Sequence, residues 1–167
     1  MREIPSSYRL WRQALPFEEI SLGAGGLRFA QLEDLEELQV GYSRSREGAT
    51  FCTGEPGAWQ EPWIVIGENT CLGDPLIMDP STNPIAIFTA MHGAGEWNPE
   101  LIASSLEGFG VALSIVREMS VGREHPVGLE ANPIPPTARK LALSKIAAAN
   151  PGVGLTFWAL QLGSEDG

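Results

Sequence analysis

The apolar positions of this chain fall into helical and extended runs that alternate along its length. Near the start, Tyr8, Trp11 and Leu15 recur at helical spacing behind Pro5. Proline suits a first helical turn, so the pattern predicts a short helix that Pro16 ends. Gly23 to Gly26 reads as a turn, and Leu27 and Phe29 as an extended segment after it. From Leu32 to Tyr42 a helix is predicted, with Leu35 and Leu38 inward and Glu33, Asp34, Glu36 and Glu37 outward. Residues 43 to 61, rich in glycine and polar groups, read as a long loop of the kind that often meets a partner or substrate.

The centre changes period. Trp63-Ile64-Val65-Ile66, Leu76-Ile77-Met78 and Ile85-Ala86-Ile87-Phe88-Thr89-Ala90-Met91 are apolar runs rich in β-branched residues, separated by Gly, Asn, Asp and Pro. These are strands. The segments between them are too short for helical crossovers, so residues 62 to 91 are expected to form an antiparallel meander. Both faces of the third run are apolar, as in a strand covered on two sides.

Beyond it, Asn98 is placed to cap a helix with Pro99 in its first turn, followed at helical spacing by Ile102, Leu106, Phe109, Leu113 and Val116. Residues 120 to 134 read as a loop. Pro135-Pro136 open a further helix that stops at Asn150-Pro151, and Leu155 to Leu160 read as a strand returning to the sheet. The sum is a single-domain α+β fold with a largely antiparallel central sheet packed by helices.

Length and composition narrow this picture. A chain of 167 residues has the size of one domain, and 43% hydrophobic against 19% charged residues is a globular mix that needs no disulfide or metal to make a core. The charge is one-sided: 21 acidic against 11 basic residues give −10. Phosphate backbones would be repelled, which excludes DNA or RNA as a direct ligand, while a basic protein would be attracted. From Glu47 to Val116 there is no Lys or Arg, although that span carries Glu47, Glu55, Glu61, Glu68, Asp74, Asp79, Glu96, Glu100 and Glu107. Neither a signal-peptide pattern nor a membrane-spanning run is visible, so a cytoplasmic location is expected.

The candidate chemistry is sparse. His92 follows a strand and His125 precedes Pro126, and neither has metal-ligand spacing. Cys52 and Cys71 form no CxxC pair, and reduced thiols are expected. The glycine-rich stretches lack any phosphate-loop form and have no lysine nearby. No metal, nucleotide cofactor or covalent nucleophile is expected. Glu68, Asp74 and Asp79 could serve as acid and base at a glycosidic bond in a groove lined by Trp59, Trp63 and Trp97. Read more simply, they are turn residues that hold backbone amides.

The meander also carries a resemblance. Trp63 to Gly67, then Gly73-Asp74 through Asp79, then Ile87 to Gly93 and Ile102 to Phe109 resemble the SUKH superfamily in its Smi/Knr branch, related to a yeast cell-wall assembly regulator. Ile4-Pro5-Ser6-Ser7-Tyr8 looks like the Leu-Pro-x-x-Tyr segment of that family, Leu32 to Tyr42 like its following helix, and Phe157-Trp158 like its terminal strand. The family usually carries another amphipathic helix ahead of the first segment, whereas this chain begins almost at it. The resemblance implies a compact α+β fold and, in bacteria, an immunity protein that binds and neutralises a toxin, often a nuclease, without catalysis. In fungal relatives it implies a regulatory scaffold. Together with the acidic middle, it leads to the expectation of a basic protein partner meeting Glu68, Asp74, Asp79, Glu96 and Glu100, with Trp97 as an apolar anchor. A small carboxylate-dependent hydrolase is the rival reading.

Overall fold

In the computed structural model, which describes residues 3–163, six strands pair in sequence order, each antiparallel to the next. They are β1 (Glu19–Leu22), β2 (Gly25–Phe29), β3 (Ile64–Asn69), β4 (Pro75–Asp79), β5 (Ala86–Thr89) and β6 (Glu100–Ala103). The sheet curls into an open half-barrel, and the expected meander is its centre. Six helices complete the α+β fold: α1 (Ser6–Ala14), α2 (Leu35–Leu38), α3 (Leu106–Ser120), α4 (Gly128–Ala131), α5 (Pro136–Ala149) and α6 (Thr156–Gln161).

The apolar runs are continuous because both faces of the sheet are covered. Ile64, Ile66, Leu76, Met78 and Ile87 point to one face, where Tyr8, Phe109, Val116, Ile146 and Trp158 meet them. Val65 and Ile77 point to the other, where Tyr42, Trp59 and Trp63 cover them. One cover is helical; the other is the long loop. Adjacent strand residues alternate between the two cores, as the pleat requires.

Several expectations are corrected. The helix predicted from Leu32 to Tyr42 is only Leu35–Leu38. Gly41, at φ +92°, lies just beyond it in a conformation that interrupts a helix, and the Gln39 side chain turns in toward the sheet. The Gln39 amide donates to the Val65 carbonyl at 2.8 Å and accepts from the Val65 N–H at 3.0 Å. β2 pairs with β3 only from Gly67 to Asn69, so at Val65 a side chain serves where a strand would.

The helix expected to start at Asn98-Pro99 starts instead at Leu106, capped by Ser105, whose hydroxyl accepts from the Gly108 N–H at 2.9 Å. Residues 100 to 103 pair with β5, so Ile102 reaches the core from a strand. Leu155 to Leu160 hold helix α6, not a strand. The Trp158 indole donates to the Ile102 carbonyl at 2.8 Å, and the Asn150 side chain accepts from the Ser104 N–H at 3.1 Å. Side chains thereby cover the outer edge of β6 where the returning strand was expected. Finally, Gly25 and Gly26 belong to β2 and Gly67 to β3, not to turns, and β1 was not foreseen. A Cβ at Gly67 would lie 2.3 Å from the Arg28 carbonyl oxygen, so strand pairing itself demands glycine there. Within the 120 to 134 loop, Gly128–Ala131 form one short helical turn.

Candidate functional site

The β3–β4 turn organises the surface that carries most of the candidate residues. Asn69 Oδ1 accepts from the Cys71 and Leu72 N–H groups at 2.9 and 3.3 Å, and Gly73 takes φ +72° to close the turn. This local bonding leaves the Leu72 side chain 66% exposed. Asp74 does not hold its own turn, as the sequence reading supposed. Its Oδ1 accepts from the His92 N–H at 2.7 Å and so ties this turn to the segment after β5.

Tyr42 fixes the same junction from the loop side, its hydroxyl donating to the Gly73 carbonyl at 2.8 Å. Burial, reinforced by the nearby Glu68 carboxylate, pushes the Tyr42 phenol up to about 12, so it remains a neutral donor. The His92 ring stands 5.5 Å from the Tyr42 ring and stacks on Trp97 at 6.0 Å. Trp97 meets the buried Trp59 edge-on at 5.0 Å, and its backbone N–H donates to the Gly57 carbonyl at 2.8 Å. Trp97 is therefore half-buried in an aromatic cluster that fastens the 91 to 97 segment to the long loop. Trp59 and Trp63 lie in the core beneath it and do not line a groove.

Beside this junction runs a groove of about 750 Å³. Asp74, Glu96 and Glu100 lie along it, and its apolar surface includes Leu72, Met91 and Leu160, which are 66%, 69% and 57% exposed. Three of the six candidate residues thus come together. Glu68 faces a separate groove of about 640 Å³ that also contains Tyr42 and His92, and its carboxylate pairs with Arg28 at 2.5 Å. Its charge is largely answered within the chain. Asp79 stands at the opposite end of β4 from Asp74 and accepts from the Ser81 N–H and hydroxyl at 2.9 and 2.6 Å. That is a turn role, and Asp74 and Asp79 do not face each other across a substrate-sized gap.

Of the nine carboxylates between Glu47 and Val116 none is buried, but they do not form one patch: Glu107 opens helix α3, while Glu47, Glu55 and Glu61 follow the long loop. Leu72, Met91 and Leu160 were not singled out from sequence. Leu72 had a signal, an apolar residue inside an Asn-Gly turn, where burial is difficult; Leu160 was hidden by the mistaken strand. Among the described residues no group of three or more His, Cys, Asp or Glu side chains is arranged to hold a metal ion, and no helix is long and apolar enough to cross a membrane. No family model matches the chain, and no curated protein or solved structure matches it either.

Proposed function

We propose that this chain is a non-enzymatic protein-binding module that captures a basic partner on the groove between the β3–β4 turn and the 91 to 100 segment. One observation carries the reading: an apolar surface with Leu72, Met91 and Leu160 exposed lies beside Asp74, Glu96 and Glu100, with no Lys or Arg lining it. Exposed apolar side chains bordered by charge are the usual composition of a docking patch, an apolar centre with a polar rim. The acidic rim selects the sign of the partner, and the apolar floor supplies affinity. A hydrolytic reading is less well supported, because Glu68 is paired with Arg28, Asp74 is bound to a backbone amide and Asp79 holds a turn.

The SUKH-like sequence pattern supports reading this module as an immunity protein whose partner is a basic toxin domain such as a nuclease. The test uses the purified chain and the purified product of its adjacent open reading frame. We expect a stoichiometric complex, weakened about 10-fold or more by the Leu72→Ser, Met91→Ser double variant, because truncating central apolar contacts is what costs affinity in such interfaces. A complex whose affinity the double variant leaves unchanged would place docking elsewhere. No complex at all would remove the immunity reading.

A further inference from the structure

Charge is segregated along this chain in both signs. From Ala131 to Gly163 there is no Asp or Glu, although the chain as a whole carries −10. That stretch holds Arg139, Lys140 and Lys145, and the last two are the only lysines of the protein. All three lie on helix α5. Arg139 is engaged within the chain, its Nη1 donating to the Gly163 carbonyl at 2.9 Å. Lys140 and Lys145 are exposed, and neither pairs with a carboxylate among the described residues, where the ion pairs are Arg28–Glu68 and Arg44–Glu36.

Helical geometry decides what accompanies these lysines. Ala142 and Ile146 turn inward from α5 and fix it to the main core. On the opposite side Leu141, Ser144 and Ala148 follow one another at spacings of three and four, so they lie in one line, and all three are exposed. Leu141 is 57% exposed, with Lys140 and Lys145 on either side of the line. The outer face of α5 therefore presents an apolar side chain between two unpaired cations. The acidic groove is its converse: Leu72, Met91 and Leu160 stand exposed beside Asp74, Glu96 and Glu100, and no Lys or Arg lines it. Because its inner face is held in the core, α5 turns this outer face away from its own chain.

We propose that α5 of one copy docks in the acidic groove of the next, so that the chain assembles head to tail. The proposal rests on the groove being a docking surface, as read above, and gives it a second occupant. Leu141 meets the apolar floor and the lysines meet the carboxylate rim, which is recognition of an amphipathic helix by a groove of opposite charge. Two different surfaces meet in this contact, so each copy in a chain keeps one groove and one helix face open, and no two-fold axis stops growth. Self-docking also covers the floor that a basic partner needs, so the partner and a second copy compete for it.

Salt is a poor probe here, because it screens both the attraction at the contact and the repulsion between two acidic molecules. The experiment is sedimentation velocity of the full chain from about 1 μM to about 1 mM, the span of weak to moderate affinities. The mean mass of the wild type is expected to rise with concentration and to pass that of a dimer. Lys140→Glu with Lys145→Glu, and separately Leu72→Ser with Met91→Ser, are each expected to stay monomeric; every one of these positions is exposed, so the fold is retained. Mixed in equal amounts, the two variants are expected to form a dimer and nothing larger, since one intact groove and one intact helix face remain to meet. The proposal is overturned by a wild type that stays monomeric, by either variant associating as the wild type does, or by a mixture that stays monomeric while the wild type assembles. Capture of the basic partner is read separately with the lysine variant, whose groove is intact. Retained capture beside a monomeric wild type removes self-docking alone, and absent capture beside normal assembly removes the basic-partner reading alone.

Discussion

Gln39 shows how one side chain substitutes for a length of strand. Its amide offers the donor and acceptor that a neighbouring peptide group would, and it also donates to the Leu35 carbonyl at 2.7 Å. Gln39→Leu fills a similar volume but leaves the buried N–H and C=O of Val65 without partners. Each such group costs about 1–3 kcal/mol, so we predict a loss of about 2–5 kcal/mol in urea unfolding. A loss under about 0.5 kcal/mol, the range of ordinary surface changes, would show that the amide is dispensable. Tyr42 gives a residue-scale prediction in pH. Its phenol is raised from 10.0 to about 12 in the folded chain, so between those values the folded state holds a proton that the unfolded state has released. The stabilisation is complete below pH 10 and is lost as pH rises toward 12. Tyr8 is raised as well and acts in the same direction. Tyr42→Phe should therefore make the alkaline decline shallower, by up to about 1.4 kcal/mol per pH unit, without removing it. Unchanged steepness in equilibrium unfolding from pH 9 to 12 would contradict the Tyr42 environment described above.

Among the elements, strand pairing imposes requirements that a local pattern does not display. Gly67 pairs with Phe29 on one side and Leu76 on the other, and a Cβ there would lie 2.3 Å from a backbone oxygen. We predict that Gly67→Ala costs about 1–3 kcal/mol by forcing β2 and β3 apart, with raised hydrogen exchange of the Ala30 amide, which donates to the Ile66 carbonyl at 3.1 Å, as the specific sign. Unaltered exchange there would mean that the strands accommodate the methyl group. The same distinction separates what was legible in the sequence from what was not. The runs at 63 to 66 and 76 to 78, and residues 86 to 89 of the third run, announced their strands because both sides of the sheet are covered there, whereas Met91 lies past β5 and is exposed; the Phe109, Leu113 and Val116 stripe announced α3. The start of α3 was obscured because Ile102 falls on the helical period by coincidence while lying in β6. Phe157-Trp158 has strand-like composition, but Trp158 is needed as a donor to the β6 edge, and a helix supplies that geometry. At the candidate site, Asp74, Glu96 and Glu100 were legible as charge. Their separation from Asp79, and the pairing of Glu68 with an arginine from β2, depend on contacts between distant parts of the chain.

At the scale of the whole molecule, charge is distributed unevenly. The span that supplies Asp74, Glu96 and Glu100 to the groove has no basic residue, whereas Arg9, Arg12, Arg28 and Arg117 belong to the flanking elements α1, β2 and α3. Arg117 stands 4.7 Å over the Phe17 ring. An acidic groove therefore presents one sign of field to an approaching partner, and such a field acts on the rate of encounter more than on the lifetime of the complex. The most direct measurement is the association rate constant with the basic partner as a function of ionic strength, for wild type, for Glu96→Lys with Glu100→Lys, and for the charge-matched control Glu33→Lys with Glu37→Lys. We predict that the wild-type rate falls about 10-fold or more as salt rises, that the groove variant loses most of that dependence, and that the control keeps it. A wild-type rate indifferent to salt, or equal effects of the two double variants, would contradict capture by this groove.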